Sequence, residues 1–360
     1  MEIEEMAQRA LSFGRRAFLA LAAAVLGCVL ALSGCSQQVV TEDDSSSDAA
    51  TQPEAQQTQP TEVRIGALKG PTGMGLAGMM GDAPSGVSDA CSYTYELAGS
   101  ADELTPMLIQ GDLDMCMVPA NLAAVLYQKT EGAVQVLAVN TLGVLDIVCT
   151  DDSVQSIEDL AGKTIVSAGK GSTPEYALRY LLENNGIDPD TDVTIEWKSE
   201  HAECLAALEA DPSVVAMLPQ PFATSALAKV EGARIAIDLN DTWDETAQKL
   251  GTDAQLITGV AVARAQFVQE HPEAVAAFME DYANSINFVN ENVDEASQII
   301  GDQGIIDAAV AQKAIPYCNI VFVSGDQMKS SLSGYLQTLY DAAPESVGGT
   351  MPDDGFYYLG

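Results

Sequence analysis

Positive charge is the scarcest feature of this 360-residue sequence. Sixteen Lys and Arg residues stand against 52 Asp and Glu residues, which gives a formal net charge of −36 at pH 7. A surface of that sign repels phosphate backbones, so the composition excludes nucleic acid as a partner. An anionic ligand would have to bind in a locally favourable pocket, because the field of the whole chain opposes it.

Cysteine spacing defines neither a metal site nor a redox site. The chain has seven cysteines and no C-x-x-C motif. Two of them, Cys28 and Cys35, lie in the N-terminal segment, which leaves an odd number in the rest of the chain. An oxidising compartment would allow one disulfide, and the sequence leaves its pairing open among Cys91, Cys116, Cys149, Cys204 and Cys318.

The N-terminal segment has the organisation of an export signal. Arg15 and Arg16 precede an apolar run that ends in Leu-Ser-Gly-Cys at residues 32–35. A positive flank, a short apolar core and small residues before the cut predict a signal peptide over residues 1–34. The tetrapeptide resembles the lipobox of bacterial lipoproteins, and GRRAFLA resembles a twin-arginine signal. An uncleaved membrane anchor is the alternative, and the choice between Sec and twin-arginine export stays open.

Residues 35–61 are predicted to be a lipidated cysteine followed by a disordered tether. Cys35 would carry the lipid, and residues 36–61 are rich in Ser, Gln, Thr, Asp and Pro with almost nothing to bury. A flexible coil of this length spans roughly 25–30 Å on average. We therefore expect a folded domain held by its lipid anchor at the cell membrane, on the extracytoplasmic face.

An internal repeat organises the rest of the chain. The stretch GDLDMCMVPANLAAVL at residues 111–126 returns as DPSVVAMLPQPFATSA at residues 211–226. At an offset of 100, eight of the 24 positions from Met117 to Asn140 are identical, where ordinary residue frequencies give roughly one to three. The turn KGPT at residues 69–72 likewise corresponds to KGST at residues 170–173. In both copies short strands alternate with helices, which predicts two similar α/β units, each with a mostly parallel sheet, and a cleft between them.

Four strand-to-helix turns, two from each unit, are predicted to line that cleft: residues 69–74, 119–121, 170–174 and 219–221. Ligands of open α/β sheets bind beyond the carboxyl ends of the strands, where helix N-termini offer unpaired N–H groups. Two further residues end a strand near the presumed hinge and are expected at the cleft floor. The predicted ligand contacts, with these two included, are Lys69, Thr72, Gly73, Met74, Asn121, Asn140, Thr141, Ser172, Thr173, Gln220 and Pro221.

Each of these residues also has a plainer explanation. The hydroxyl and amide side chains would cap helices and close turns, and Lys69 and Lys170 would be solvated turn residues. Asn140 corresponds to Asn240 in the repeat, so a shared turn role explains both. The ligand hypothesis rests on the set of residues and predicts that Gln220 faces the helix that begins near Asn121.

Catalytic signatures are missing. No G-x-S-x-G, H-E-x-x-H or P-loop motif occurs. His201 has neighbours that could serve as metal ligands or acid–base groups in EHAEC, residues 200–204. The corresponding repeat segment, residues 100–104, is however an ordinary helix start with a capping box. His271 precedes a proline at a helix start and is interpreted as structural. No metal or other cofactor is predicted, and we expect that the protein is not an enzyme.

The order of these motifs resembles the extracytoplasmic substrate-binding proteins of ABC importers, in the branch that binds nitrate, sulfonates and pyrimidine precursors. The resemblance rests on the lipobox at Cys35, the turn at residues 69–74, SIEDLAGKT at residues 156–164, and PQP at residues 219–221. HPEAV at residues 271–275 fits the C-terminal part of that family. Together these motifs span nearly all of residues 62–345.

That resemblance implies two Rossmann-like lobes joined by two crossing strands, a type II periplasmic-binding-protein fold with the ligand in the cleft. The first lobe is expected over residues 62–150 plus 257–360 and the second over residues 151–256. The strand LITGVAVA, residues 256–263, has no counterpart in the first copy and is interpreted as the return crossing. The implied partners are a small anionic or polar ligand and ABC permease subunits, with the protein a monomer. An enzyme like those of menaquinone synthesis and a solute-sensing lipoprotein are the alternatives.

Overall fold

The computed structural model of the chain describes residues 59–81 and 87–360. The predicted signal peptide, Cys35 and most of the predicted tether lie outside the described residues. Within the described ranges, no helix has the length and apolar character needed to cross a membrane.

The strands follow the predicted alternation with helices. The strands are β1 (Thr61–Leu68), β2 (Cys91–Ala98), β3 (Met115–Pro119), β4 (Val134–Leu142), β5 (Leu145–Cys149), β6 (Thr164–Ala168), β7 (Thr194–Lys198), β8 (Val215–Pro219), β9 (Arg234–Asp238), β10 (Ile257–Arg264) and β11 (Ile320–Ser324).

Helices fill most of the connections. The α-helices are α1 (Pro71–Met74), α2 (Ala77–Met80), α3 (Ala101–Gln110), α4 (Ala120–Lys129), α5 (Thr173–Asn184), α6 (His201–Ala210), α7 (Phe222–Lys229), α8 (Leu239–Leu250), α9 (Ala265–Glu270), α10 (Pro272–Glu291), α11 (Val293–Asp302), α12 (Ala308–Ala314) and α13 (Gly325–Ala342). Short 3₁₀ segments occur at Ile157–Leu160, Ile315–Tyr317, Pro344–Val347 and Asp354–Phe356.

Two mixed sheets form the centres of the two lobes. The first has the order β11-β4-β10-β3-β1-β2, and the second has the order β7-β6-β8-β5-β9. In the first sheet β1 runs parallel to β2 and β3, whereas β10 runs antiparallel to β3 and β4. In the second sheet β6 runs parallel to β7 and β8, whereas β5 runs antiparallel to β8 and β9. Four of the six strands in the first sheet and four of the five in the second therefore run in one direction, so each sheet is mostly parallel, as predicted.

The strands that cross between the lobes account for the antiparallel pairs at β10 and β5. β5 follows β4 after only Gly143 and Val144 and enters the second sheet between β8 and β9. β10 follows α8 and enters the first sheet between β3 and β4. Because each strand arrives directly from the other lobe, it lacks the long crossover that a parallel neighbour needs. The two crossing strands thus take equivalent places in the two copies of the repeat.

Two expectations from the sequence change accordingly. The predicted boundary at residue 150 puts the strand Leu145–Cys149 in the first lobe. In the structure this strand pairs with β8 and β9 of the second sheet. The repeat shows no counterpart of the strand Ile257–Arg264 in the first copy. In the structure β5 takes the equivalent place in the other sheet. Each crossing strand belongs to the lobe that it enters. The offset of 100 does not align the two strands because α8 lies between β9 and β10, whereas β5 follows β4 directly.

Local chemistry explains where the helices of the repeat begin. Ser100 and Glu103 form a capping box at the start of α3, with the Ser100 N–H donating to Glu103 Oε1 at 3.1 Å. α3 ends at Gly111, whose φ of 84° is the left-handed conformation that favours glycine. A second capping box, from Ser156 to Asp159, opens the 3₁₀ turn before β6.

The main apolar core is continuous through both lobes. It joins first-lobe residues of α3 and α4 to second-lobe residues of α5 and α8, and α13 lies across both. Tyr335 of α13 lies 5.6 Å from Trp243, which in turn lies 4.6 Å from Tyr180, measured between ring centroids. Separate clusters fill the outer faces of each sheet. The C-terminal helix α13 therefore packs against both lobes.

Candidate functional site

A cleft of about 320 Å³ lies between the lobes at the ends of the strands. Both copies of the repeat contribute to its walls, as the predicted four turns require. The lining residues are Leu68–Thr72, Gly99–Asp102, Pro119, Leu122, Thr141, Val144, Leu145, Ala168–Pro174, Lys198–His201, Pro219, Gln220, Phe222 and Thr258.

Another hollow, of about 360 Å³, lies between α5 and α13. Four of its ten lining residues are acidic. Its arginine is already paired, because Arg179 lies 3.2 Å from Glu175 and 2.9 Å from Asp190. The interlobe cleft has free polar groups from both copies of the repeat. It is therefore the stronger candidate for a ligand site.

Two lysines bring positive charge to the cleft from opposite lobes. Lys69 follows β1 and Lys170 follows β6, at corresponding turns of the repeat. Both side chains are exposed, and neither ammonium has an ion-pair partner among the residues that the structure describes. A third lysine, Lys198, is half-buried and lies 3.5 Å from Glu196. The cleft lining thus holds three lysines and two carboxylates, those of Asp102 and Glu200, in a chain that is otherwise strongly acidic.

Thr72 offers an unused hydroxyl in the same cleft. The residue is 8% exposed, and its Oγ1 has no hydrogen-bond partner within the described ranges. Its methyl group packs where β10 has Gly259, since a Cβ at that position would lie 2.6 Å from Thr72 Cγ2 and from Asn140 Oδ1. A buried hydroxyl without a partner is unfavourable. A ligand oxygen would remove that cost.

The cleft floor is organised by Asn140 and Thr141, at the end of β4. Thr141 lines the cleft and donates from Oγ1 to Asn140 Oδ1 at 3.1 Å. Asn140 is fully buried and contacts Met117 Sδ through Nδ2 at 3.4 Å. Asn140 therefore supports the floor from below and does not line the cleft.

Asn121 joins the two lobes and does not face open space. Its Nδ2 donates to Ser346 O at 2.9 Å, and its Oδ1 accepts from Thr173 Oγ1 at 3.2 Å. Thr173 belongs to the second lobe, so the predicted site residue makes a direct interlobe contact. Ser172 lines the cleft, but its hydroxyl donates to Gly169 O at 2.8 Å and holds the turn. The Ser172 side chain therefore closes the turn and makes no cap hydrogen bond to α5.

Gln220 does not face Asn121, which differs from the prediction. Its Nε2 donates to Asp146 Oδ2 at 2.9 Å, and its Oε1 accepts from Thr224 Oγ1 at 2.7 Å. Burial, together with the charge of Asp238, raises the pKa of Asp146 to about 7, and the bond from Gln220 opposes this rise. The amide of Gln220 is therefore committed inside its own lobe, although the residue lines the cleft.

Five predicted contacts lie outside the cleft lining: Asn121, Asn140 and three others. Met74, the last residue of α1, is fully buried in the first-lobe core. Gly73 packs so tightly that a Cβ would lie 2.5 Å from Leu68 O, so it serves the turn. Pro221 follows a cis peptide bond and caps α7. A residue next to a turn in the sequence can point either into the cleft or into the core, and its position in the sequence does not show which.

Sequence reasoning missed two loops that face each other across the cleft. Gly99–Asp102 precedes and begins α3, and Lys198–His201 precedes and begins α6. A Cβ at Gly99 would lie 2.5 Å from Glu200 Cδ, so the carboxylate of one lobe rests on the backbone of the other. The repeat carries the signal that could have found them, because these loops correspond at an offset of 100.

His201 is the less expected member of this group. Its ring lies 5.8 Å from that of Phe222, and both line the cleft. Burial lowers the pKa of His201 to about 4, so the imidazole is neutral at pH 7. Its Nδ1 is shielded from solvent and has no partner in the described part of the chain. Among the described residues, no group of three or more His, Cys, Asp or Glu side chains could hold a metal ion.

The five cysteines left open by the sequence are all buried and unpaired in the described structure. Burial raises the pKa of Cys116 and of Cys204 to about 12, so both thiols stay protonated at neutral pH. They pack as small apolar side chains. They contribute neither a disulfide nor a reactive thiolate to the cleft.

Comparison with known proteins identifies a matching family and solved structures with a similar fold. The model of the NMT1-like family matches residues 91–301. No curated protein sequence matches the chain.

Three solved structures illustrate the likeness. An ABC transporter protein from Parabacteroides distasonis is 22% identical, with a TM-score of 0.68 over 83% of this chain and 99% of its own. The periplasmic aliphatic sulphonate binding protein SsuA from Escherichia coli is 14% identical, with a TM-score of 0.65 over 83% of this chain and 92% of its own. The periplasmic nitrate-binding protein NrtA from Synechocystis PCC 6803 is 13% identical, with a TM-score of 0.56 over 80% and 84%. At these identities the likeness establishes the two-lobed α/β fold of binding proteins.

Proposed function

Because this chain belongs to the NMT1-like family, we propose that it is a solute-binding protein that captures a small anion between its lobes and delivers it to an ABC import permease. The sulphonate- and nitrate-binding proteins that share the fold support a binding role. The proposed ligand class and tether are argued from this chain's own residues, whereas the permease is proposed from the likeness to an ABC transporter protein.

One observation carries the proposal. The corresponding turns of both copies each place an unpaired lysine in the same cleft, Lys69 from one lobe and Lys170 from the other. A ligand that bridges them makes its full contacts only when the lobes are close together. Its binding would therefore shift the protein towards the closed form, as in hinge closure of periplasmic binding proteins.

The test is a ligand screen with the full chain purified in detergent. Nitrate, sulfonates, carboxylates and pyrimidines are compared by thermal shift, then by calorimetry. A ligand present at 100 times its Kd stabilises the folded state by about 2.7 kcal/mol. Lys69→Gln and Lys170→Gln should each weaken binding about tenfold, as expected for one charge-assisted contact.

The repeat provides a matched control. Lys129→Gln and Lys229→Gln alter corresponding lysines at the ends of α4 and α7, which do not line the cleft. They should bind like the wild type. A chain that no anion stabilises, or cleft variants that bind like the controls, would contradict the proposal. Conversion of a ligand by the purified protein would favour the enzyme alternative.

We also propose that the protein is a monomer held at the extracytoplasmic membrane surface by a lipid on Cys35. The sequence of residues 32–35 supports this step. Cys35→Ala should abolish lipid labelling and release the folded chain from membranes, and globomycin should block processing of the wild type. Unchanged membrane association of Cys35→Ala would contradict the tether. Delivery is tested by stimulation of the ATPase of the reconstituted permease.

A further inference from the structure

The two copies of the repeat carry different side chains at two positions that line the cleft. Ala101 corresponds to His201 and Leu122 corresponds to Phe222 at the offset of 100, and all four line the cleft. The lysine turns are kept in both copies, whereas the ring pair occurs in the second lobe alone. The charged contacts are therefore shared between the lobes, and the aromatic contacts are not.

The ring pair is poorly suited to a purely structural role. His201 begins α6 and stacks at a tilt of 39° on Phe222 of α7, at the cleft surface. Its Nδ1 is buried without a partner, which a packed core would avoid. Leu122, Val144 and Leu145 continue the apolar wall. A bare inorganic anion would leave these surfaces in contact with water.

We propose that His201 and Phe222 form a specificity subsite for the uncharged body of the ligand, so that the cleft selects organic anions over inorganic ones. This inference rests on the proposed binding function. The rings contact an apolar or aromatic body, and an imidazole nitrogen hydrogen-bonds a polar substituent on it. Because His201 is neutral at pH 7, it adds hydrogen bonding and no charge.

The experiment compares five probes by calorimetry on the full chain in detergent. Nitrate and sulfate are inorganic anions, ethanesulfonate has an apolar body, benzenesulfonate has an aromatic body, and 4-hydroxybenzenesulfonate adds a hydroxyl. We expect the organic probes to bind at least tenfold more tightly than nitrate or sulfate, because burial of a few apolar carbons in a pocket gives discrimination of that order.

Three variants separate the contacts. His201→Phe keeps the ring and removes the nitrogens, so it should abolish the advantage of 4-hydroxybenzenesulfonate over benzenesulfonate and leave benzenesulfonate binding within about threefold. Phe222→Leu should weaken benzenesulfonate about tenfold and sulfate hardly at all. Leu122→Ala, at the position that corresponds to Phe222, is the control. It removes apolar surface from the cleft wall but removes no aromatic ring. Thermal unfolding of each variant verifies that it is folded.

The outcomes separate failure of the proposed subsite from failure of the proposed binding function. If nitrate or sulfate binds as tightly as the organic probes, the subsite is wrong and anion capture stands. If organic probes bind best but His201→Phe and Phe222→Leu discriminate like the wild type, the selectivity lies elsewhere and the subsite is wrong. If none of the five anions binds, the subsite is wrong, and the proposed capture of an anion fails as well if the carboxylates of the wider screen also do not bind.

Discussion

Asp146 lies beneath the cleft as a buried carboxyl close to a second acid. It is 6% exposed, and its pKa is raised to about 7 mainly by burial, with a contribution from Asp238. Its unfolded-state pKa is about 3.9. Between these values the folded protein binds more protons than the unfolded chain, so a rise in pH lowers stability across this window.

Asp146→Asn should remove that penalty. The variant should be more stable than the wild type by about 1–3 kcal/mol at pH 8. The pH-dependent part of the difference should shrink towards pH 4, where the folded-state carboxyl is protonated and the unfolded-state carboxyl is becoming so. An amide oxygen at this position can still accept the hydrogen bond from Gln220. Urea unfolding from pH 4 to pH 8 measures the difference. Asp253→Asn, at an exposed position, is the control, and a difference that is constant over this range would contradict the argument.

Gly259 makes room for two residues of the site. A Cβ there would lie 2.6 Å from both Asn140 Oδ1 and Thr72 Cγ2. Gly259→Ala should therefore displace Thr72, weaken ligand binding and destabilise the fold by about 1–3 kcal/mol. The control is Gly334→Ala in α13, where no atom lies within 4 Å of the new methyl group. It should gain about 0.5–1 kcal/mol from helix propensity. Normal binding by Gly259→Ala would remove Thr72 from the site.

At the scale of elements, Asp114 joins three strands of the first sheet. It precedes β3 and accepts from Arg64 of β1 and Arg264 of β10, each with an N–O distance of 2.8 Å to Oδ1. Burial by itself would raise its pKa, but hydrogen bonds from both arginines lower it below the ordinary value. The cluster thus connects the crossing strand β10 to the βα unit that carries Lys69.

Asp114→Ala should cost about 2–3 kcal/mol. Loss of one partner of a fully buried pair costs about 3–5 kcal/mol, and the effect is smaller here because the Arg64 side chain is 36% exposed. Chemical denaturation at pH 7 measures it. Asp112→Ala, two residues away and exposed, should change stability by less than about 0.5 kcal/mol. Equal effects of the two variants would show that the ion pairs contribute nothing.

At the scale of the whole molecule, the lobes share more than two connections. The continuous core and α13 hold their backs together, and the Asn121–Thr173 hydrogen bond joins them at one edge of the cleft. The loops at Gly99 and Glu200 also meet, since a Cβ at Gly99 would lie 2.5 Å from Glu200 Cδ. The lobes are therefore in contact beside His201, which lines the cleft.

The net charge of −36 predicts an unusual salt dependence. Long-range repulsion should slow the arrival of an anion at low ionic strength, and the Debye length falls from about 30 Å at 0.01 M to about 8 Å at 0.15 M. The association rate should therefore rise with salt by a factor of roughly 2–10. Stopped-flow fluorescence measures it, in a salt whose anion does not bind. A rate that falls with salt would mean that the cleft lysines govern the encounter.

Local sequence signals predicted much of the fold. The repeat placed Met115–Pro119 and Val215–Pro219 as equivalent strands, and Ser100 with Glu103 predicted a helix start that the structure confirms. These features depend on residues close together in the chain, whose spacing and capping chemistry are visible in one dimension. The two-lobed α/β fold came from the order of such signals and from the family resemblance.

The sequence by itself determined the acidic charge, the two related halves and the turns that supply Lys69 and Lys170. Only the tertiary structure decided that β5 and β10 exchange lobes, that Gln220 turns towards Asp146, and that His201 meets Phe222 at the cleft. Each of these outcomes depends on which side of a turn packs against a distant strand or helix. Packing of that kind is selected by burial and hydrogen bonding across the whole molecule, and neighbouring residues in the chain do not encode it.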